Sequence, residues 1–285
     1  MINYRKCLPK RRKDFHKGDC GRVGIIAGSS AMLGSAILAS KAALRSGAGL
    51  VYLMTIEEAL PYINIVHPEL IILPLMSRDG VITFDNIQLI KKYHEEKKFH
   101  SLAIGPGLTT SYHTQRLIPQ IMRFASSNEI KLVLDADALN VINLDDFKHC
   151  SHHSIVLTPH AKEFERIYGK KPVEKDQRIY YAEDLAKKIK QIVVLKGYET
   201  VIADEKDMVI NKTGNNALAT AGTGDVLTGI IASFLAQGVP AFQAAALGVY
   251  LHGLAGDLAQ KEKTNFGVIS SDLLTYLPKA FKKIC

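Results

Sequence analysis

The chain has 285 residues, 47% hydrophobic and 22% charged, which is the composition of a soluble globular protein. Its net charge of +8, from 36 basic and 28 acidic residues, is partly gathered in Lys10-Arg11-Arg12-Lys13, a solvated run whose field attracts polyanionic small molecules. The absence of tryptophan, of any nucleic-acid motif and of an uninterrupted 18-residue apolar span excludes a base-stacking platform and a membrane helix.

Four scattered cysteines, Cys7, Cys20, Cys150 and Cys285, have no C-x-x-C spacing and fit reduced thiols better than a disulfide frame or a zinc site. No signal peptide precedes the first apolar run, so a cytoplasmic location is expected. No repeat, low-complexity tract or long linker divides residues 1–285, and a single domain is expected.

In chain order, Arg22–Ala27 reads as a strand, followed by a tight Gly28-Ser29-Ser30 segment and a small-residue helix over Ser35–Ser46. Gly49–Met54 is a second strand, and Ser101–Ile104, Lys131–Leu134, Ser154–Leu157 and Gln191–Leu195 are further apolar runs of strand length. Helices are expected at Thr114–Ser127, Ala138–Asn143, Lys162–Tyr168 and Ala182–Lys190. This alternation predicts βαβ units and an α/β fold with a mostly parallel, buried sheet. Thr200–Ala203 and Met208–Ile210 form an expected antiparallel hairpin at one sheet edge. Helices near Asp225–Gln237, Ala241–Gln260 and Ser271–Lys283 close the chain.

The most informative stretch is residues 214–229, where small residues and glycines run into Asp225 and then an apolar segment. Val226, Ile230 and Phe234 recur every four residues, with Leu227, Ile231 and Leu235 in a parallel row. A helix is therefore expected to start near Asp225, with Ala221-Gly222-Thr223-Gly224 at its N-terminus. Glycines admit an anion close to backbone N–H groups, and the helix end adds unpaired donors. Asp225 reads either as an N-cap or as a carboxylate at the rim of a phosphate cradle.

Ligands of open α/β sheets bind beyond the carboxyl ends of the strands. There this sequence places Gly105-Pro106-Gly107, Asp135-Ala136-Asp137, Thr158-Pro159-His160 and Lys196-Gly197. Lys196 could act as a point charge on a phosphate, and His160 as a donor or as a cap of the next helix. Asp135 and Asp137 could orient a ribose, a metal-bound water or the following helix.

These segments together resemble the ADP/ATP-dependent NAD(P)H-hydrate dehydratase family of the ribokinase-like superfamily. The resemblance covers nearly the whole chain: HKGDCGRVGIIAGS, GAGLVYL, AIGPGL, LVLDADALN, LTPHAKEF, VVLKGYETVI, NKTGNNALATAGTGDVLTGIIASFLAQG and GVYLHGLAGD. The Gly-Thr-Gly-Asp loop alone is shared across the superfamily; the other strings are narrower.

The resemblance implies a ribokinase-like sheet flanked by helices on both faces. It implies repair of hydrated NADH or NADPH (NADHX, NADPHX) by dehydration of the S epimer, with ADP or ATP as phosphoryl donor and Mg2+ on the phosphates. Phosphorylation of the ring hydroxyl makes a leaving group, and elimination restores the dihydropyridine, releasing AMP and phosphate from ADP. By resemblance, Asp225 is the catalytic base. Lys196, Gly197, Tyr198, Glu199, Thr200, Gly222, Thr223 and Gly224 lie around the nucleotide; Ala36, Gly107, His160 and Asp225 lie around the hydrate. It assigns no metal ligands. It further implies a stand-alone dehydratase that forms a homo-oligomer, a tetramer, and is coupled to a separate epimerase. The alternatives are a small-molecule kinase of the hydroxymethylpyrimidine or thiazole type and a nucleotide-binding regulator without turnover.

Overall fold

The computed structural model describes residues 2–285. A short helix α1 (Tyr4–Cys7) precedes β1 (Arg22–Ile26), α2 (Leu33–Arg45) and β2 (Leu50–Ile56). Then come α3 (Leu60–Val66), β3 (Ile71–Leu75), the short strands β4 (Ser77–Arg78) and β5 (Val81–Ile82), and α4 (Ile87–Lys97). The middle of the chain is β6 (Ser101–Ile104), α5 (Tyr112–Ser127), β7 (Lys131–Leu134), α6 (Asp137–Val141), β8 (Ile155–Leu157) and α7 (Ala161–Tyr168). It ends with α8 (Lys175–Ile189), β9 (Ile192–Leu195), β10 (Val201–Ala203), β11 (Met208–Ile210), α9 (Thr223–Ala236), α10 (Ala241–Gly267) and α11 (Ser270–Phe281).

Nine strands form one sheet in the order β11-β10-β9-β8-β7-β6-β1-β2-β3. All neighbours from β9 to β3 are parallel, and the β9–β10 and β10–β11 pairs are antiparallel. The inner strands are apolar on both faces; every residue of β9 is 0% exposed. That is what a parallel sheet covered on both sides requires. Helices α2, α9 and α10 contact the sheet, with α11 packed on them; α5 and α8 also contact it, and α4, α6 and α7 are linked to α5 through helix–helix contacts.

Two differences from the sequence reading have physical causes. No element is expected above between Met54 and Ser101, yet α3, β3, β4, β5 and α4 lie there. Pro74 hides β3, because proline lacks the N–H that a central strand donates and is tolerated only at a sheet edge, where β3 lies. α8 begins seven residues earlier than expected, at Lys175, because its first turn is polar and carries no apolar period; Gln177 there accepts from the Glu174 N–H at 3.3 Å. α9 starts at Thr223, two residues before Asp225, where the glycine loop and the apolar period place it.

The packing of α2 on α9 sets the position of the anion loop. A Cβ on Gly229 would lie 2.0 Å from the Ala39 carbonyl oxygen, so the two backbones touch. Ala36, Ala39, Ala42 and Ala43 line that contact side and are fully buried. Both apolar rows of α9, Val226-Ile230-Phe234 and Leu227-Ile231-Leu235, are buried as expected.

Candidate active site

The chain runs outward from β1 to β3 and returns to β6, so the strand order reverses between β1 and β6. Such a switch point leaves a crevice at the carboxyl ends of the strands. Two glycine turns meet there: the Gly28 N–H donates to the Pro106 carbonyl at 2.8 Å. Gly28 and Gly107 have φ of 88° and 67°, values that favour glycine. A Cβ on Gly107 would lie 2.7 Å from the Met32 carbonyl, so this glycine is required by packing against the start of α2. Ala36 is 0% exposed, backbone included, and its carbonyl accepts from the Ser40 hydroxyl at 2.7 Å.

Gly222, at φ 87°, is the N-cap residue of α9, and no side chain caps this end. Asp225 stands in the first turn, so the N-cap reading of it is corrected. Gly224 faces Lys196: a Cβ there would be 3.3 Å from Lys196 Nζ and 3.8 Å from Asp135 Oδ2. Burial, Asp135 and Asp137 push the Asp225 carboxyl up to about 6, against a Ser35 hydrogen bond and the Lys196 charge. A carboxylate poised there takes a proton far better than an ordinary aspartate does.

Lys196 leaves β9 and meets Asp135 at the end of β7, Nζ to Oδ1, at 2.7 Å. Asp135 is 1% exposed, and the Thr228 hydroxyl of α9 donates to its other oxygen at 2.7 Å. Burial disfavours the Asp135 charge, but Lys196 and these hydrogen bonds hold its carboxyl below the usual range. Glu163 Oε2 lies 4.0 Å from Lys196 Nζ. Burial and the nearby Asp135 push Glu163 up to about 7, with Lys196 opposing. Asp137 opens α6 and accepts from the Thr109 N–H at 2.8 Å.

His160 takes the capping role, one of the two weighed for it. Its Nδ1 accepts from the Lys162 and Glu163 N–H groups at 3.1 and 3.2 Å, capping α7. The ring proton therefore sits on Nε2, 3.4 Å from Glu163 Oε1, on a half-exposed side chain that can donate to a ligand. Burial and Lys196 keep the ring below its usual pKa, hence neutral.

Residues 196–200 make a turn beside a cavity of about 260 Å³. Val173, Ile179, Val201, Ile210 and Tyr198 give it apolar walls, with Lys175, Arg178 and Glu199 at its polar rim. Arg178 donates to the Tyr198 carbonyl at 2.7 Å and to the Leu195 carbonyl at 3.3 Å, so its guanidinium shapes the turn. Glu199 pairs with Lys175 at 2.6 Å. The Thr200 hydroxyl donates to the Gly197 carbonyl at 2.9 Å, and Tyr198 is 84% exposed. A larger groove of about 500 Å³ between α4 and α5 contains none of these residues.

Sequence reasoning brought Asp135, Lys196, Gly224, Asp225 and His160 to one place, and the structure puts them there. It missed Glu163, Thr228 and Ser35 as members of the cluster. Glu163 was legible in Thr-Pro-His-Ala-Lys-Glu-Phe as a helix-start carboxylate; nothing marked Thr228, which joins only through the packing of α9 on the sheet.

The sequence model of the NAD(P)H-hydrate dehydratase family matches residues 23–279. The chain belongs to this family. It is 35% identical over 284 residues to the ADP-dependent (S)-NAD(P)H-hydrate dehydratase of Bacillus subtilis, covering 99% of this chain and 96% of that protein. To a bifunctional NAD(P)H-hydrate repair enzyme of Thermofilum pendens it is 38% identical over 281 residues, 97% of this chain but 53% of the relative. The chain thus spans about half the length of the bifunctional relatives it matches. The Bacillus subtilis ADP/ATP-dependent dehydratase, co-crystallised with ATP and Mg2+, matches at a TM-score of 0.83 and 33% identity, over 99% of this chain and 96% of that one. The ribokinase-like fold expected from the motifs is therefore met.

Among the described residues no three His, Cys, Asp or Glu side chains group as a metal site. Both oxygens of Asp135 are engaged by Lys196 and Thr228. The donor set makes no protein cage for magnesium.

Proposed function

We propose that this protein is an ADP-dependent (S)-NAD(P)H-hydrate dehydratase that returns NADHX and NADPHX to the reduced cofactor. The observation that carries the reading is Asp225: a carboxylate pushed up to about 6, one residue after a glycine open toward Lys196, at the N-terminus of a helix. A binding protein gains nothing from an anion facing phosphate, whereas a phosphoryl transferase needs a base there.

The nucleotide lies with its base in the cavity beside Tyr198 and its phosphates toward Gly222, Thr223 and Gly224, where backbone N–H groups stabilise the transferring charge. Lys196, neutralised by Asp135, keeps the crevice from repelling a polyanion. Gly197, Glu199 and Thr200 hold the turn that borders the nucleotide. The hydrate lies against Gly107, the start of α2 around Ala36, and His160, whose Nε2–H donates to it. Asp225 takes the ring hydroxyl proton as the oxygen attacks the terminal phosphorus of ADP, and AMP leaves. The ring nitrogen lone pair then expels phosphate, and loss of a proton from the adjacent carbon restores the double bond. Magnesium would be held chiefly by nucleotide phosphates and water, where it would offset phosphate charge.

Residues 1–285 act as one dehydratase domain in the cytoplasm, as a homo-oligomer of tetramer type, coupled to an epimerase activity. The test is incubation with hydrated NADH, magnesium and ADP or ATP. Recovery of dihydropyridine absorbance together with AMP from ADP supports the reading. A stable phosphate ester of an alcohol substrate, with no recovery, would favour the small-molecule kinase instead.

A further inference from the structure

The reaction proposed above needs the N–H groups of Gly222–Gly224 held in place before charge develops on the phosphoryl group. α9 carries those groups but has no side-chain cap at this end. The neighbouring helix α10 grips the segment instead. His252 Nε2 lies 2.9 Å from the Thr223 carbonyl. A carbonyl only accepts, so Nε2 carries the proton and donates. Burial pushes the ring down to about 4, with Lys196 adding to the effect, so the donor is neutral at any working pH.

Further along α10, Asp257 accepts from the Gly214 N–H at 3.0 Å and from Asn215 Nδ2 at 2.8 Å. Between these grips the loop meets α10 at two glycines, Gly253 and Gly256. A Cβ on Gly253 would lie 2.3 Å from Thr213 Oγ1, and one on Gly256 would lie 2.7 Å from Leu218 Cδ2. The Thr213 hydroxyl donates to the Tyr250 carbonyl at 2.9 Å. Residues 213–223 therefore lie flat on α10 and are tied at both ends.

We propose that His252 and Asp257 are positioning residues: α10 clamps the phosphate-handling loop at its entry and at the first residue of α9, so that its N–H groups are pre-aimed when nucleotide arrives. The inference rests on the phosphoryl-transfer reading above. Preorganised donors act without reorganising during the reaction, and a displacement of about 1 Å can lower rate on the order of a hundredfold. A scaffold role of this kind lowers kcat more than it raises KM, because the aim matters most in the transition state.

The experiment compares His252→Leu, His252→Gln and Asp257→Ala with the unmodified protein in three readouts. These are steady-state kinetics with hydrated NADH and ADP, thermal melting, and hydrogen exchange of residues 211–226 without ligand. His252→Leu fills the space without a donor and should lower kcat by roughly 10–100-fold with KM little changed. His252→Gln keeps an amide donor and should recover most of that loss. Exchange in residues 211–226 should quicken in His252→Leu and Asp257→Ala and stay near normal in His252→Gln. Equal kcat losses in the Leu and Gln variants, or unchanged exchange in both His252→Leu and Asp257→Ala, overturn the clamp. Should His252→Leu fail to fold, Asp257→Ala carries the test by the same exchange measurement. If the unmodified protein turns over no hydrate, the proposed reaction fails, and hydrogen exchange alone still decides the clamp.

Discussion

Asp225→Asn separates a catalytic carboxylate from a structural one, and the structure predicts opposite signs for stability and rate. The carboxyl titrates at 3.8 when unperturbed and at about 6 in the fold, mainly through burial. Its pKa is thus raised on folding, so the ionised form weakens the fold above about pH 6 and has no such effect below about pH 4. A shift of about two units corresponds to roughly 3 kcal/mol as a ceiling, and partial exposure reduces this to about 1–3 kcal/mol. Against it stands the attraction of a first-turn carboxylate to the helix dipole, about 0.3–1 kcal/mol, which is smaller. No capping bond is lost, because the N-cap of α9 is Gly222. Asp225→Asn should therefore melt roughly 2–6 °C above wild type at about pH 8, with the gain vanishing near pH 4. Its turnover should fall by about 10²–10⁴, the usual worth of a general base. In the wild type, kcat/KM should decline as pH falls through about 6, where the base form is lost. Calorimetric melts at both pH values and recovery of dihydropyridine absorbance measure these effects. An Asn variant that melts below wild type at about pH 8, or turns over at the wild-type rate, refutes the reasoning.

Lys196→Ala leaves the Asp135 charge buried and unpaired, so it should lower stability by about 3–5 kcal/mol, and adding Asp135→Asn should restore much of that; equal melting of the single variant and wild type would count against the pair. Gly224→Val puts a branched side chain where an added Cβ already lies 3.3 Å from Lys196 Nζ, and should abolish ADP binding by calorimetric titration while the protein stays folded. An unchanged ADP affinity would remove Gly224 from the site. Gly229→Ala places a methyl 2.0 Å from the Ala39 carbonyl and should lower stability by about 1–3 kcal/mol or more as α2 and α9 separate; wild-type melting would show that the two helices tolerate separation.

The parallel sheet was legible from local pattern, because a strand buried on both faces must be apolar throughout. Ser101–Ile104 and Lys131–Leu134 agree with the structure to the residue. The same logic failed where local chemistry contradicts its surroundings, as at β3 with Pro74 and at the polar first turn of α8. Likewise, the glycines, Asp225, Lys196 and His160 were readable as chemistry, because their residue types and strand-end positions narrow what they can do. What each is bonded to was not readable. The sequence separations of 61 from Asp135 to Lys196, 93 from Asp135 to Thr228 and 29 from Thr223 to His252 are closed only by packing. Ionisation depends on such partners and on burial, so the tertiary structure alone raised Asp225 and Glu163 and made Lys196 part of a buried pair. It also put the cap of α9 at Gly222: the sequence determined that a helix begins here, and only the folded backbone, with Gly222 at φ 87° against Leu38 and Ser270, fixes at which residue.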